Sequence, residues 1–222
     1  MRNILAIFLC LSLLTPAKAT AAPCVALTFD DGPSGRFTRA LLDGLARQDV
    51  KATFLLCGYR MAQYPELTAR IQEEGHEIGL HGYSHRCMRD LSCGELEREL
   101  NDCMTLLPEG CRPAFLRPPG GAANDRVVRA AKEAGLALLT WSVDPRDWAV
   151  HDAAAVEEAV LRQVRDGDVI LLHDMSDSSV EAALVIVQTL RQQGYRFVTV
   201  SELARLRGVT PEPGKTYSRF PA

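Results

Sequence analysis

The sequence predicts an α/β fold in a single domain, a closed or nearly closed (β/α) barrel. Three observations predict it. The 222 residues are 47% hydrophobic and 24% charged, ordinary values for one globular domain with ample surface to bury. Short apolar runs alternate with amphipathic ones seven times, which implies parallel βαβ units. No internal repeat, linker or low-complexity stretch interrupts the series, and seven such units in about 200 residues suit a barrel.

Taken in order, a strand-like run at 24–29 precedes a helical pattern at 37–48. A second strand at 52–57 precedes a helix at 65–74, which Gly75 ends as a left-handed cap. The third strand, 77–80, leads to a helix at 92–107 opened by Ser92 and Glu95, a capping box. The fourth, 113–116, leads to a helix at 124–134 ended by Gly135. Strand 137–143 leads to helix 153–165, and strand 168–172 to helix 179–193, ended by Gly194. Strand 196–200 and helix 201–207 close the series. The tail, 208–222, is rich in Pro and Gly and reads as a surface extension.

The first residues stand apart. Arg2 supplies a basic n-region, and 4–14 is an apolar run too short to span a bilayer. Ala17-Lys18-Ala19 is an A-x-A cleavage pattern. Residues 1–19 therefore read as a secretory signal peptide, with cleavage at 21 or 23 as alternatives. Removing Arg2 and Lys18 takes the formal charge from −3 to −5, which leaves no footprint for nucleic acid. No other stretch could span a membrane. The expectation is an exported, soluble monomer, periplasmic or extracellular, with no membrane attachment after processing.

The chemistry follows the strands. In α/β barrels the reacting groups come from loops at the C-terminal strand ends. Asp30-Asp31-Gly32-Pro33 follows the first strand and His81-Gly82-Tyr83-Ser84-His85 the third. Arg117-Pro118-Pro119-Gly120-Gly121 follows the fourth, Asp144-Pro145-Arg146-Asp147-Trp148 the fifth, and His173-Asp174 the sixth. Each cluster alone has an ordinary reading. Asp-Asp-Gly-Pro is turn chemistry, Arg117 could cap a helix, and His173 could be a core histidine. Their coincidence at strand ends is what ordinary readings do not explain. The i, i+4 spacing of His81 and His85 presents both imidazoles to one ion if the loop is tightly wound. Asp31 completes a two-histidine, one-carboxylate set with open positions, suited to catalytic zinc or another divalent ion. His76 and His151 are expected to face solvent or cap.

At these residues the chain resembles the polysaccharide deacetylase family, also called carbohydrate esterase family 4 or the NodB homology domain. The resemblance covers 24–205. Thr28-Phe29-Asp30-Asp31-Gly32 matches the first family motif in full. Glu74-Gly75-His76-Glu77-Ile78-Gly79, leading into His81 and His85, is similar to the second. Leu116 to Gly120, Asp144 to Trp148, and Leu171-Leu172-His173 are similar to the remaining three. The resemblance implies a distorted (β/α)7 barrel that removes N- or O-acetyl groups from an acetylated glycan. It implies Asp30 as base, paired with Arg117, and His173 as general acid oriented by Asp144. It also implies one divalent metal held by Asp31, His81 and His85: zinc first, with cobalt, nickel or manganese as alternatives. Backbone near Gly120 would bind the oxyanion, and Trp148 and Leu171 the substrate. Two positions depart from the family pattern: Gly82, where Ser or Thr is usual, and Gly120, where Tyr or Phe often stands. Competing expectations are an inactive glycan-binding relative and an amidohydrolase of small amides.

Export permits disulfides. Beyond the signal peptide lie six cysteines, and the favoured pairs are Cys87–Cys93 and Cys103–Cys111, with Cys24 and Cys57 as buried thiols.

Overall fold

The strand Cys24–Asp30 (β1) is buried along its whole length. Parallel strands covered on both faces read as continuous apolar runs, and Cys-Val-Ala-Leu-Thr-Phe is one. The structure, a computed structural model, describes residues 22–222, so the expected signal peptide lies outside the described residues. After β1 come Gly35–Arg47 (α1), Thr53–Leu56 (β2), Gly58–Gln63 (α2), Pro65–Glu73 (α3), Glu77–Leu80 (β3) and Cys93–Met104 (α4). Then follow Phe115–Leu116 (β4), Asp125–Glu133 (α5), Ala137–Leu139 (β5), Ala153–Gln163 (α6) and Val169–His173 (β6). Asp177–Gln192 (α7), Arg196–Phe197 (β7), Val200–Leu206 (α8) and Thr216–Tyr217 (β8) complete the chain. Every predicted strand and helix is present; α2 and β8 were not expected. Ser92 and Glu95 form the predicted capping box on α4.

The strand order is β6-β1-β2-β3-β4-β5-β8, with β7 also on β1 and the ladders parallel. The sheet curls round until Val143, beyond the end of β5, bridges to Ile170 of β6. Closure is a single bridge because β5 is only three residues long and β8 takes its outer edge. The result is the distorted α/β barrel that the sequence predicts.

Side-chain alternation sets the two layers. Val25, Leu27, Phe29, Phe54, Leu56, Leu138, Ile170 and Leu172 point outward, into a core shared with α1 and α7 residues such as Leu41, Leu45 and Ile186. Cys24, Ala26, Leu55, Phe115, Ala137, Leu139 and Val169 point inward. Val200, Leu203 and Ala204 of α8 join that inner cluster with Phe220, and they plug the N-terminal end of the barrel. The opposite end is left for chemistry.

Three expectations need correction. The tail is no surface extension: β8 pairs with β5, and Phe220, 1% exposed, stacks on Tyr217. The outer edge of β5 takes β8 and the inner cluster takes Phe220, which local composition does not reveal. His76 does not face solvent. It is buried, accepts the Ala52 N–H at Nδ1 and meets Phe54 edge-on, and burial pushes its imidazole down to about 4. The favoured disulfides are not formed: Cys24, Cys57, Cys87, Cys93, Cys103 and Cys111 are free. Cys24, Cys57 and Cys103 are buried and pack as small hydrophobes.

Candidate active site

Alternation continues past the strand ends and delivers the polar groups inward. On β1 the inner positions after Cys24 and Ala26 are Thr28 and Asp30; on β6 those after Val169 are Leu171 and His173. The β1–β6 register sets Asp30 directly opposite His173. His81 follows Leu80 of β3, and Arg117 follows Leu116 of β4. Around them opens a cleft of about 450 Å³ lined by Asp30, Asp31, His81, His85, Gly120, Trp141, Asp144, Trp148, Leu171 and His173.

Arg117 lies beneath this cleft, fully buried. Its Nη1 donates to Asp30 Oδ1 at 2.6 Å and to Thr28 Oγ1 at 2.8 Å, and its Nη2 donates to Thr140 O at 2.8 Å. A buried charge persists only when paired and hydrogen-bonded, and each of these two ions supplies that for the other. The pairing occupies Oδ1 of Asp30 and turns Oδ2 towards His81 Nε2, 3.8 Å away.

Asp31, His81 and His85 meet as the spacing predicts, with ligand atoms all within 4.8 Å of one another. Asp31 Oδ1 lies 3.2 Å from His81 Nε2 and 3.0 Å from His85 Nε2. His81 Nδ1 sits 2.7 Å from Arg117 O. A carbonyl only accepts, so Nδ1 carries the proton and Nε2 presents a lone pair. Asp31 Oδ1 is buried without a hydrogen-bond partner. An orphaned carboxylate oxygen facing two imidazole nitrogens fits a divalent cation, which would satisfy all three. Burial pushes the Asp31 carboxyl up, but His81 and His85 outweigh it and hold it well below the usual range. The Asp31 contact in turn raises His85, against that group's partial burial.

His173 is held by Asp147, and this corrects the expectation for Asp144. Asp147 Oδ1 is 2.8 Å from His173 Nδ1, and its Oδ2 accepts the His173 backbone N–H at 2.8 Å. Asp144 instead accepts the Arg146 N–H in a local Asx turn and lines the cleft. The intervening Pro145 and Arg146, the latter at φ 57°, turn the chain so that the later carboxylate points inward. Burial works against the His173 cation, yet Asp147 outweighs it and the imidazole is pushed up to about 9.

The polysaccharide deacetylase family model matches residues 17–139. A peptidoglycan-N-acetylglucosamine deacetylase of Bacillus cereus is 40% identical over 189 residues, covering 82% of this chain and 89% of its own. The chain belongs to the polysaccharide deacetylase family. It is a hydrolase of the carbohydrate deacetylase class. The peptidoglycan-N-acetylmuramic acid deacetylase PdaC of Bacillus subtilis is 38% identical over 86% of this chain, which spans only 42% of that longer protein. Among solved structures, a family 4 acetyl xylan esterase from Clostridium thermocellum in complex with a cobalt ion is 33% identical. It superposes with a TM-score of 0.83 over 90% of this chain and all of its own.

In this deacetylase, Gly120 has φ 65° and open space where a Cβ would stand, so the rim is bare there. Trp148 is 55% exposed, with Arg146 stacked on its ring, and Leu171 forms floor. Trp141 escaped the sequence reading, yet extending the inward series Ala137, Leu139 by two would have found it. Its ring faces the Arg117 guanidinium, 5.6 Å away, and fills the space that a Cβ on Gly121 would need.

Proposed function

We propose that the chain is an exported, metal-dependent deacetylase that hydrolyses N-acetyl or O-acetyl groups of a glycan. The observation that carries this reading is the arrangement of three paired units, Asp30 with Arg117, Asp31 with His81 and His85, and His173 with Asp147, round one cleft. Held by Asp31, His81 and His85, a divalent cation would supply Lewis acidity that polarises the acetyl carbonyl and acidifies water.

The remaining roles belong to the chain. Arg117 fixes Asp30 by Oδ1, so Oδ2 takes the proton from water as it attacks the acetyl carbon. A backbone N–H near Gly120 stabilises the oxyanion, an interaction worth about 3–4 kcal/mol where measured. Asp147 favours the His173 cation, whose Nε2–H protonates the departing amine as the C–N bond breaks. Acetate and the free amine are the products. Trp148, Trp141 and Leu171 provide walls and floor for sugar rings. Zinc or cobalt suits the nitrogen and oxygen ligand set, with nickel or manganese as alternatives.

Peptidoglycan, chitooligosaccharide and acetylated xylan are the substrate candidates, and the bare Gly120 rim favours a bulky polymer. A binding-only relative would be expected to lack the base, the acid or a ligand; the presence of Asp30, His173 and the Asp31, His81 and His85 set supports the catalytic reading instead. Acetate release from these three polymers, with and without chelator, tests the reading. Chelator-sensitive release from one of them is expected; no release from any, with metal bound, would overturn it.

A further inference from the structure

The buried stripe of α4 is Leu96, Glu99, Leu100 and Cys103, at the i, i+3, i+4, i+7 spacing of a core-facing helix side. A carboxylate in that stripe is out of place on packing grounds, because acidic residues are seldom buried unless paired. Glu99 is 8% exposed and no basic side chain pairs with it among the described residues. Its partners belong to the metal-ligand turn. Glu99 Oε2 accepts the backbone N–H of Tyr83 at 2.6 Å and of Ser84 at 2.8 Å, and Oε1 accepts the Ser84 hydroxyl.

These three donors lie between His81 and His85. The turn also needs Gly82, at φ 82°, where a Cβ would come within 2.7 Å of Met88 Cε and 3.3 Å of Glu99 Oε2. A glycine there lets the chain swing two successive N–H groups onto one carboxylate. The hydroxyl usual after the first histidine is missing from this chain, and the helix carboxylate braces the same loop.

We propose that Glu99 is a positioning residue for the metal-ligand turn, its carboxylate fixing His81 and His85, through Tyr83 and Ser84, at the separation a divalent cation needs. The inference rests on the metal reading above. Partners that orient a ligand shell typically change metal affinity by about 10–100-fold when removed.

The test uses purified, metal-stripped full-length mature chain and measures Zn²⁺ affinity by competition with a chromophoric chelator. Co²⁺ ligand-field spectra are recorded alongside. Wild type should bind one ion. Glu99→Ala should bind Zn²⁺ about 10–100-fold more weakly, with a shifted Co²⁺ spectrum. Glu99→Gln, which keeps shape but turns one acceptor into a donor, should show a loss of at least about threefold and serves if Glu99→Ala does not fold. Asp102→Asn, on the exposed side of α4, should match wild type. Wild-type affinity and spectrum in both Glu99 variants would overturn the proposal, as would an equal loss in Asp102→Asn. A wild-type chain that binds no ion would overturn the metal reading itself.

Discussion

Asp147 grips His173 twice, by Oδ1 at the ring Nδ1 and by Oδ2 at the backbone N–H, each at 2.8 Å. One carboxylate thus fixes the proton on Nδ1, the ring plane and the strand end that carries the ring. It leaves Nε2 as the only nitrogen able to serve a substrate in the cleft.

Activity should consequently fall as pH rises through about 9, where the His173 cation loses its proton. Asp147→Asn removes the charge that raises this group, so the alkaline limb of kcat should move down towards about 6.5. Asp144→Asn should leave the limb where it is. Profiles of the wild type and both variants on one acetylated oligosaccharide decide between the two aspartates. A limb that moves with Asp144 and not with Asp147 would restore the original expectation.

Asp30→Asn keeps shape and the Arg117 contact but cannot take a proton from water. It should lower kcat by about 10²–10⁴ with metal content near wild type. His173→Ala should do the same on an amide and hurt an ester less, since an alkoxide depends less on protonation to leave. Unchanged acetate release from both variants on every substrate would refute the assigned proton path.

Gly32 sits against a fully buried carboxyl. A Cβ at position 32 would stand 2.7 Å and 2.8 Å from the Asp174 oxygens, and Thr38 donates to the same carboxyl and pins it. Gly32→Ala should destabilise the protein by about 1–3 kcal/mol in urea titration. The cost should couple to Asp174: Gly32→Ala with Asp174→Ala should lose less than the two single changes added together. Strict additivity would mean that the loop and Asp174 do not press on each other.

Phe220 seals the end of the barrel remote from the cleft. Phe220→Ala should cost about 3–5 kcal/mol of stability. At low temperature, kcat should stay close to wild type, because Phe220 packs in the inner cluster and is not among the residues that line the cleft. A large drop in kcat with unchanged stability would contradict this division of the barrel into a sealed end and a reacting end.

Much of the site was legible because a strand imposes period two. Once 24–29 and 168–172 are read as parallel strands, Asp30 and His173 fall on strand ends, and pairing the two strands brings them together. His81 and His85 were legible for a similar reason: four residues is the span of one tight turn, and the turn follows a strand. The resemblance to a known family rests on these same short motifs.

What lay outside that logic was decided by tertiary structure. Asp144 and Asp147 belong to an irregular stretch with no period, so spacing ranks neither above the other, and only the turn at Arg146 selects one. Glu99 is 14 residues beyond His85, on a helix that has to dock before its carboxylate meets Tyr83 and Ser84. The tail reads as polar and turn-rich, and it becomes a strand because β5 leaves an edge unpaired and the inner core has room for Phe220. Local sequence determined which segments are strands and which residues end them, since those follow from backbone geometry within a few residues. Partners across the barrel depend on long-range docking, where the need to pair every buried polar group chooses among candidates that look alike in sequence.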